Sequence, residues 1–95
     1  MDEEVGINSA GNVFIDLGLS PEEAAVLQMR ADLMAGLRKF IKAKKLTQTK
    51  AAEILGVSQS RVSDLIRGKW EKFSLEMLIT LATRAGMRVS LSTAA

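Results

Sequence analysis

The sequence predicts an all-α bundle of four to five helices with short N- and C-terminal strand segments. Three observations carry that prediction. Apolar residues recur at helical spacing within residues 20–43, 48–67 and 74–85. The predicted helices begin just after Ser20, Thr47, Ser58 and Ser74, residues that cap orphan backbone N–H groups, and the later ones stop at Gly56, Gly68 and Gly86. Strand character is confined to residues 13–17 and 87–92.

Residues 1–11 carry several acids and small residues with little periodicity, and read as a mobile N-terminal tail ahead of a single domain over 12–95. Val13, Phe14, Ile15 and Leu17 form an apolar run bounded by Gly11 and Gly18. It suggests a short strand, or a segment laid on the helices without sheet pairing. Ser20-Pro21-Glu22-Glu23 is a helix start, with serine as N-cap, proline at the first position and Glu23 closing a capping box. Along the helix that follows, Ala24, Leu27, Ala31, Met34, Leu37, Phe40 and Ile41 form an apolar stripe. Arg38, Lys39, Lys42, Lys44 and Lys45 gather at its C-terminal end, where cations complement the helix dipole. Unbroken to about Ala43, it spans on the order of 35 Å. Its N-terminal part, with Leu27, Met29 and Leu33 on more than one face, is then expected to extend beyond the core and meet another chain. Gly36 could interrupt it instead.

The motif at residues 47–68 reads as two short helices across a tight turn, a helix-turn-helix. Ala51, Ala52, Ile54 and Leu55 are spaced for the first helix, and small Ala52 lets the second cross closely. Gly56 stands where the chain enters the left-handed region, Val57 plugs the turn, and Ser58 caps the second helix. Val62, Leu65 and Ile66 face inward, leaving Gln59, Ser60, Arg61, Ser63, Asp64 and Arg67 outward. Beyond Gly68, residues 69–73 form a loop in which Trp70, expected half-exposed, either packs on the core or lies beside a nucleic-acid backbone or a partner. The last helix points Leu75, Leu78, Ile79, Leu81 and Ala82 inward. Residues 87–92 then alternate Met87, Val89 and Leu91 with polar residues, a strand that must pair with 13–17 or with another subunit.

The stretch TQTKAAEILGVSQSRVSDLIRGK resembles the Xre/Cro-like family of phage and bacterial repressors. The flanks NVFIDLGLSPEEAAVL and KFSLEMLITLATRAGMRVSLS resemble small antitoxin-like regulators of the HigA type, so the likeness runs from Asn12 onward. It implies a lambda-repressor-like bundle that binds DNA. It also implies a toxin partner of the RelE-type ribonuclease class and repression of the chain's own operon. A stand-alone or prophage repressor without a toxin is the alternative.

Composition narrows the chemistry. With no cysteine and no histidine, disulfides, thiolate zinc sites and the commonest general base are absent. Glu22 and Glu23 read as helix-start residues, no nucleophile and base pair is evident, and neither an enzyme nor a cofactor is expected. No apolar run is long enough to span a bilayer and the start MDEEVG is unlike a secretory signal, so a cytoplasmic protein is expected. The net charge of +2 hides an asymmetry: residues 1–32 hold seven acids and one base, residues 33–95 twelve bases and four acids. The basic part contains the motif, as electrostatic attraction to a phosphate backbone requires.

The expected mechanism is operator binding, with the helix over 59–67 in the major groove and the helix over 48–55 across the backbone. Gln59, Ser60, Arg61, Ser63 and Asp64 are the expected base readers. Gln59 suits adenine, and Arg61 or Arg67 could read guanine or hold phosphate; Asp64 could accept from cytosine N4, instead orient Arg61 or Arg67, or belong to a solvated face. Gln48, Lys50, Ser58, Arg67, Lys69 and Lys72 are the expected phosphate contacts, Gln48 by resemblance to the repressor family. A homodimer on palindromic double-stranded DNA is expected, joined through the 20s and 30s helix or through residues 87–92.

Overall fold

The computed structural model describes residues 4–8, as a backbone strand, and residues 18–93. The order is β1 (Glu4–Asn8), α1 (Pro21–Ala43), α2 (Gln48–Leu55), α3 (Gln59–Ile66), a 3₁₀ turn (Trp70–Lys72), α4 (Leu75–Arg84) and β2 (Arg88–Ser92). The all-α prediction holds, with four α-helices and one 3₁₀ turn among the described residues.

Every helix starts where local chemistry says it should. Ser20 and Glu23 form the reciprocal capping box, each backbone N–H donating to the other's side chain at 3.2 Å. The Ser20 side chain, and after it the Ser20 backbone N–H, lowers the pKa of the Glu23 carboxyl. Thr47, Ser58 and Ser74 each accept from the backbone N–H three residues on. α1 runs unbroken through Gly36 for 23 residues, about 34 Å. It ends in a Schellman arrangement, with Lys45 N–H donating to the Lys42 carbonyl and Leu46 N–H to that of Ile41. The left-handed position there is held by Lys45, at φ 53° the only non-glycine with positive φ among the described residues. A side chain in that region costs about 1–2 kcal/mol relative to the right-handed one.

The core is built around the middle and end of α1. Leu33, Met34, Leu37, Phe40 and Ile41 meet Ala51, Ala52 and Leu55 of α2, Val62 and Leu65 of α3, Phe73, and Leu78, Leu81 and Ala82 of α4. Three expectations are corrected here. Leu33 is fully buried, so it belongs to the core and not to an overhanging face. Ile66 and Ile79 are 40% and 36% exposed, because the stripes of α3 and α4 are each narrower than their apolar residues suggest.

The strands pair differently from the expectation as well. β2 forms as predicted, but its partner is β1, in parallel register from Glu4↔Arg88 to Asn8↔Ser92. Part of the stretch read as a mobile tail is thus a strand. The strand expected at 13–17 lies outside the described residues. Met87 is buried, Val89 half-buried and Leu91 exposed, so the strand peels away from the core toward its end.

Candidate nucleic-acid interface

α2 and α3 meet at the Gly56 corner. Gly56 adopts φ 69° and its N–H donates to the Ala52 carbonyl at 2.8 Å, which Val57 shares at 3.1 Å. A second constraint comes from α4. Arg84 Nη1 donates to the Leu55 carbonyl at 2.9 Å, placing a cation on the C-terminus of α2, and it stands 3.1 Å from where a Gly56 Cβ would sit. Sequence reasoning found the conformational reason for this glycine and missed the guanidinium against it.

Val62 and Leu65 anchor α3 in the core and turn its opposite side outward. At about 100° per residue, Ser60, Ser63 and Arg67 centre that outer side, with Gln59 at one edge and Asp64 at the other. Gln59, Ser60 and Arg67 are exposed; Ser63 is half-buried. Gln59 Nε2 donates to Thr49 Oγ1 at 3.0 Å, tying the start of α3 to the start of α2. One Nε2 hydrogen and Oε1 remain for adenine N7 and N6. Thr49 is a residue the sequence did not single out, since only the crossing of two helices brings it to Gln59. The Ser60 and Ser58 hydroxyls lie 3.3 Å apart.

Arg61 and Asp64, both expected among base readers, are engaged by the loop after α3. Arg61 Nη1 donates to the Lys72 carbonyl at 2.8 Å, and its guanidinium lies 5.4 Å from the centroid of the Phe73 ring. Asp64 pairs with Lys72 Nζ at 3.8 Å. Its partner is thus a lysine, and neither Arg61 nor Arg67. These contacts make one edge of α3 a strut for the 3₁₀ turn.

Among the expected phosphate contacts, Gln48 is exposed at the first turn of α2 and Ser58 is engaged as the cap of α3. Lys50 faces Glu53 at 3.9 Å with both side chains more than 60% exposed, a pairing too solvated to hold the lysine. Arg67 is exposed at the C-cap of α3, and Lys69 is half-buried with its N–H donating to the Asp64 carbonyl at 3.0 Å. Lys72 is half-exposed and shared with Asp64.

Two grooves lie along α1. A basic one, about 560 Å³, is lined by Arg38, Lys39, Lys42 and Lys45 with Ile41, Leu46 and Ile66. An apolar one, about 510 Å³, is lined by Leu19, Val26, Leu27 and Trp70 with Glu22, Glu23 and Arg30. Trp70, 42% exposed, takes the half-exposed position expected for it. No described helix is long and apolar enough to cross a membrane. A family model described as a helix-turn-helix domain matches residues 13–94. No curated protein matches the chain.

Proposed function

The chain belongs to the helix-turn-helix domain family, and on that premise we propose that it is a sequence-specific DNA-binding regulator acting as a homodimer on a palindromic operator. The observation that carries the reading is the outer side of α3: a polar surface on a helix braced from both flanks, by Thr49 on Gln59 and by Arg61 on the Lys72 carbonyl. α3 lies in the major groove with Gln59, Ser60 and Ser63 toward base edges, and Gln48, Lys50, Arg67, Lys69 and Lys72 take phosphates. Arg61 serves as a positioning residue. Two copies set their α3 helices about 34 Å apart to meet successive turns of the duplex.

The test begins with selection of an operator from random duplexes. Gln59→Ala with Ser63→Ala should then lose operator preference by roughly 1–3 kcal/mol per base contact, beside a fall of a few degrees in thermal midpoint from the lost Thr49 contact. Unchanged preference would rule out the groove assignment.

The regulator is further read as the antitoxin of a toxin–antitoxin pair that represses its own operon. Support comes from the acidic first third of the chain and from Glu22 and Glu23 at the apolar groove beside Trp70, which suit a small basic RNA-cleaving partner of the RelE type. A neighbouring reading frame for such a protein, and a complex on co-expression, are the expected results. Failure of the two to associate would leave the stand-alone repressor.

A further inference from the structure

We propose that the C-terminal end of α1 is a second DNA contact, a cradle of Arg38, Lys39, Lys42 and Lys45 that grips the phosphate backbone alongside α3. It takes its partner, duplex DNA, from the function proposed above, and three separate observations support it.

The four cations line one groove and no carboxylate lines it with them. Among the described residues the ion pairs fall elsewhere, Lys50 with Glu53 and Lys72 with Asp64. Four like charges on one groove repel one another until an anion sits among them. The second observation is the backbone of Lys45. It occupies, at φ 53°, the left-handed position that ends α1, where glycine is unstrained. A lysine held there gives up fold stability for its side chain, the pattern of strain found at functional positions.

The third is continuity with α3. Ile66, 40% exposed, forms the groove wall and lies about 20° from Gln59 around the helix axis, two turns on. Arg38 Nη1 stands 3.0 Å from where a Gly68 Cβ would be, so its guanidinium reaches the end of the same helix. A backbone leaving the groove read by Gln59 meets cations for its phosphates and Ile41, Leu46 and Ile66 for its sugars. None of the four belongs to the helix-turn-helix itself.

Lys45→Gly separates the two roles of that residue, because they move in opposite directions. The thermal midpoint should rise by roughly 4–8 °C as the backbone strain is relieved. Duplex affinity should fall about three- to tenfold, with the slope of log affinity against log salt flattened by about 1.8, roughly 0.9 for the Lys45 of each copy in the dimer. Lys42→Ala should flatten it by a similar amount, and both losses should be equal on a selected operator and on an unrelated duplex. An unchanged slope in both variants, or a loss confined to the operator, overturns the cradle. Gln59→Ala, measured beside them, keeps the readings apart. If it spares operator preference while Lys45→Gly flattens the slope, the groove assignment of α3 fails and the cradle stands. The reverse pattern removes the cradle alone.

Discussion

Arg61 lies at the expected base-reading surface yet makes its contacts to the following loop, so Arg61→Met decides between two physical roles. The substitution keeps most of the aliphatic stem and removes the guanidinium. A hydrogen bond from a charged donor contributes about 1.5–3 kcal/mol. Solvent reaches this one, at 2.8 Å to the Lys72 carbonyl, and screening reduces it to about 1 kcal/mol. The stacking on Phe73, 5.4 Å from the ring centroid, adds about 0.5 kcal/mol. The freed carbonyl takes water, so no buried acceptor is orphaned. A loss of about 1.5 kcal/mol lowers the thermal midpoint by roughly 6–12 °C in a domain of this size. A guanine-reading arginine would lose a comparable 1–3 kcal/mol, but from discrimination at one base pair and not from folding. Melting followed by circular dichroism, together with competition among operators carrying single base changes, reads both quantities. We expect a lowered midpoint and an unaltered pattern of base preference. An unmoved midpoint with relaxed preference at one base pair would refute the strut.

Further expectations follow from the same structure. Gly56→Ala forces a side chain into φ 69° and presses on Arg84, whereas Gly86→Ala at φ 83° meets nothing within 4 Å; urea titration should show Gly56→Ala losing more than the roughly 1–2 kcal/mol expected of Gly86→Ala. Leu65→Ala, at a side chain 1% exposed, should lose about 2.7–5 kcal/mol of a typical 5–15 kcal/mol stability, seen as a clear fall of the urea midpoint. Because the folded Glu23 carboxyl titrates below its ordinary value of 4.5, its contribution is complete above that value and disappears as pH falls through the lowered one. The midpoint difference between wild type and Glu23→Gln should therefore be present at pH 7 and vanish in strong acid.

The helices were legible in the sequence because their starts are decided locally: Ser20, Thr47, Ser58 and Ser74 each cap with a group three residues away. The corner at Gly56 was legible for the same reason. Contacts between elements distant in sequence were not. Arg61 to the Lys72 carbonyl, Gln59 to Thr49 and Arg84 to the Leu55 carbonyl all depend on how helices cross, which spacing along one helix does not encode. Ile66, Ile79 and Leu33 were misassigned because periodicity gives the centre of an apolar stripe better than its width. β1 escaped notice because Val5 and Ile7 alternate with Glu4, Gly6 and Asn8 over five residues only, with a glycine at the centre, and because its partner β2 is distant in sequence.

That pairing also bears on the order of assembly. Each rung of the ladder joins positions 84 apart in the sequence (88 − 4), so closing it carries a large loop entropy, and it is expected to form after the helices condense. Among the described residues two strands share the ribbon, so amide protons of residues 4–8 and 88–92 should exchange with solvent well before those of α1. Removal of residues 4–8 would therefore act first on β2, baring its backbone while the bundle stays folded.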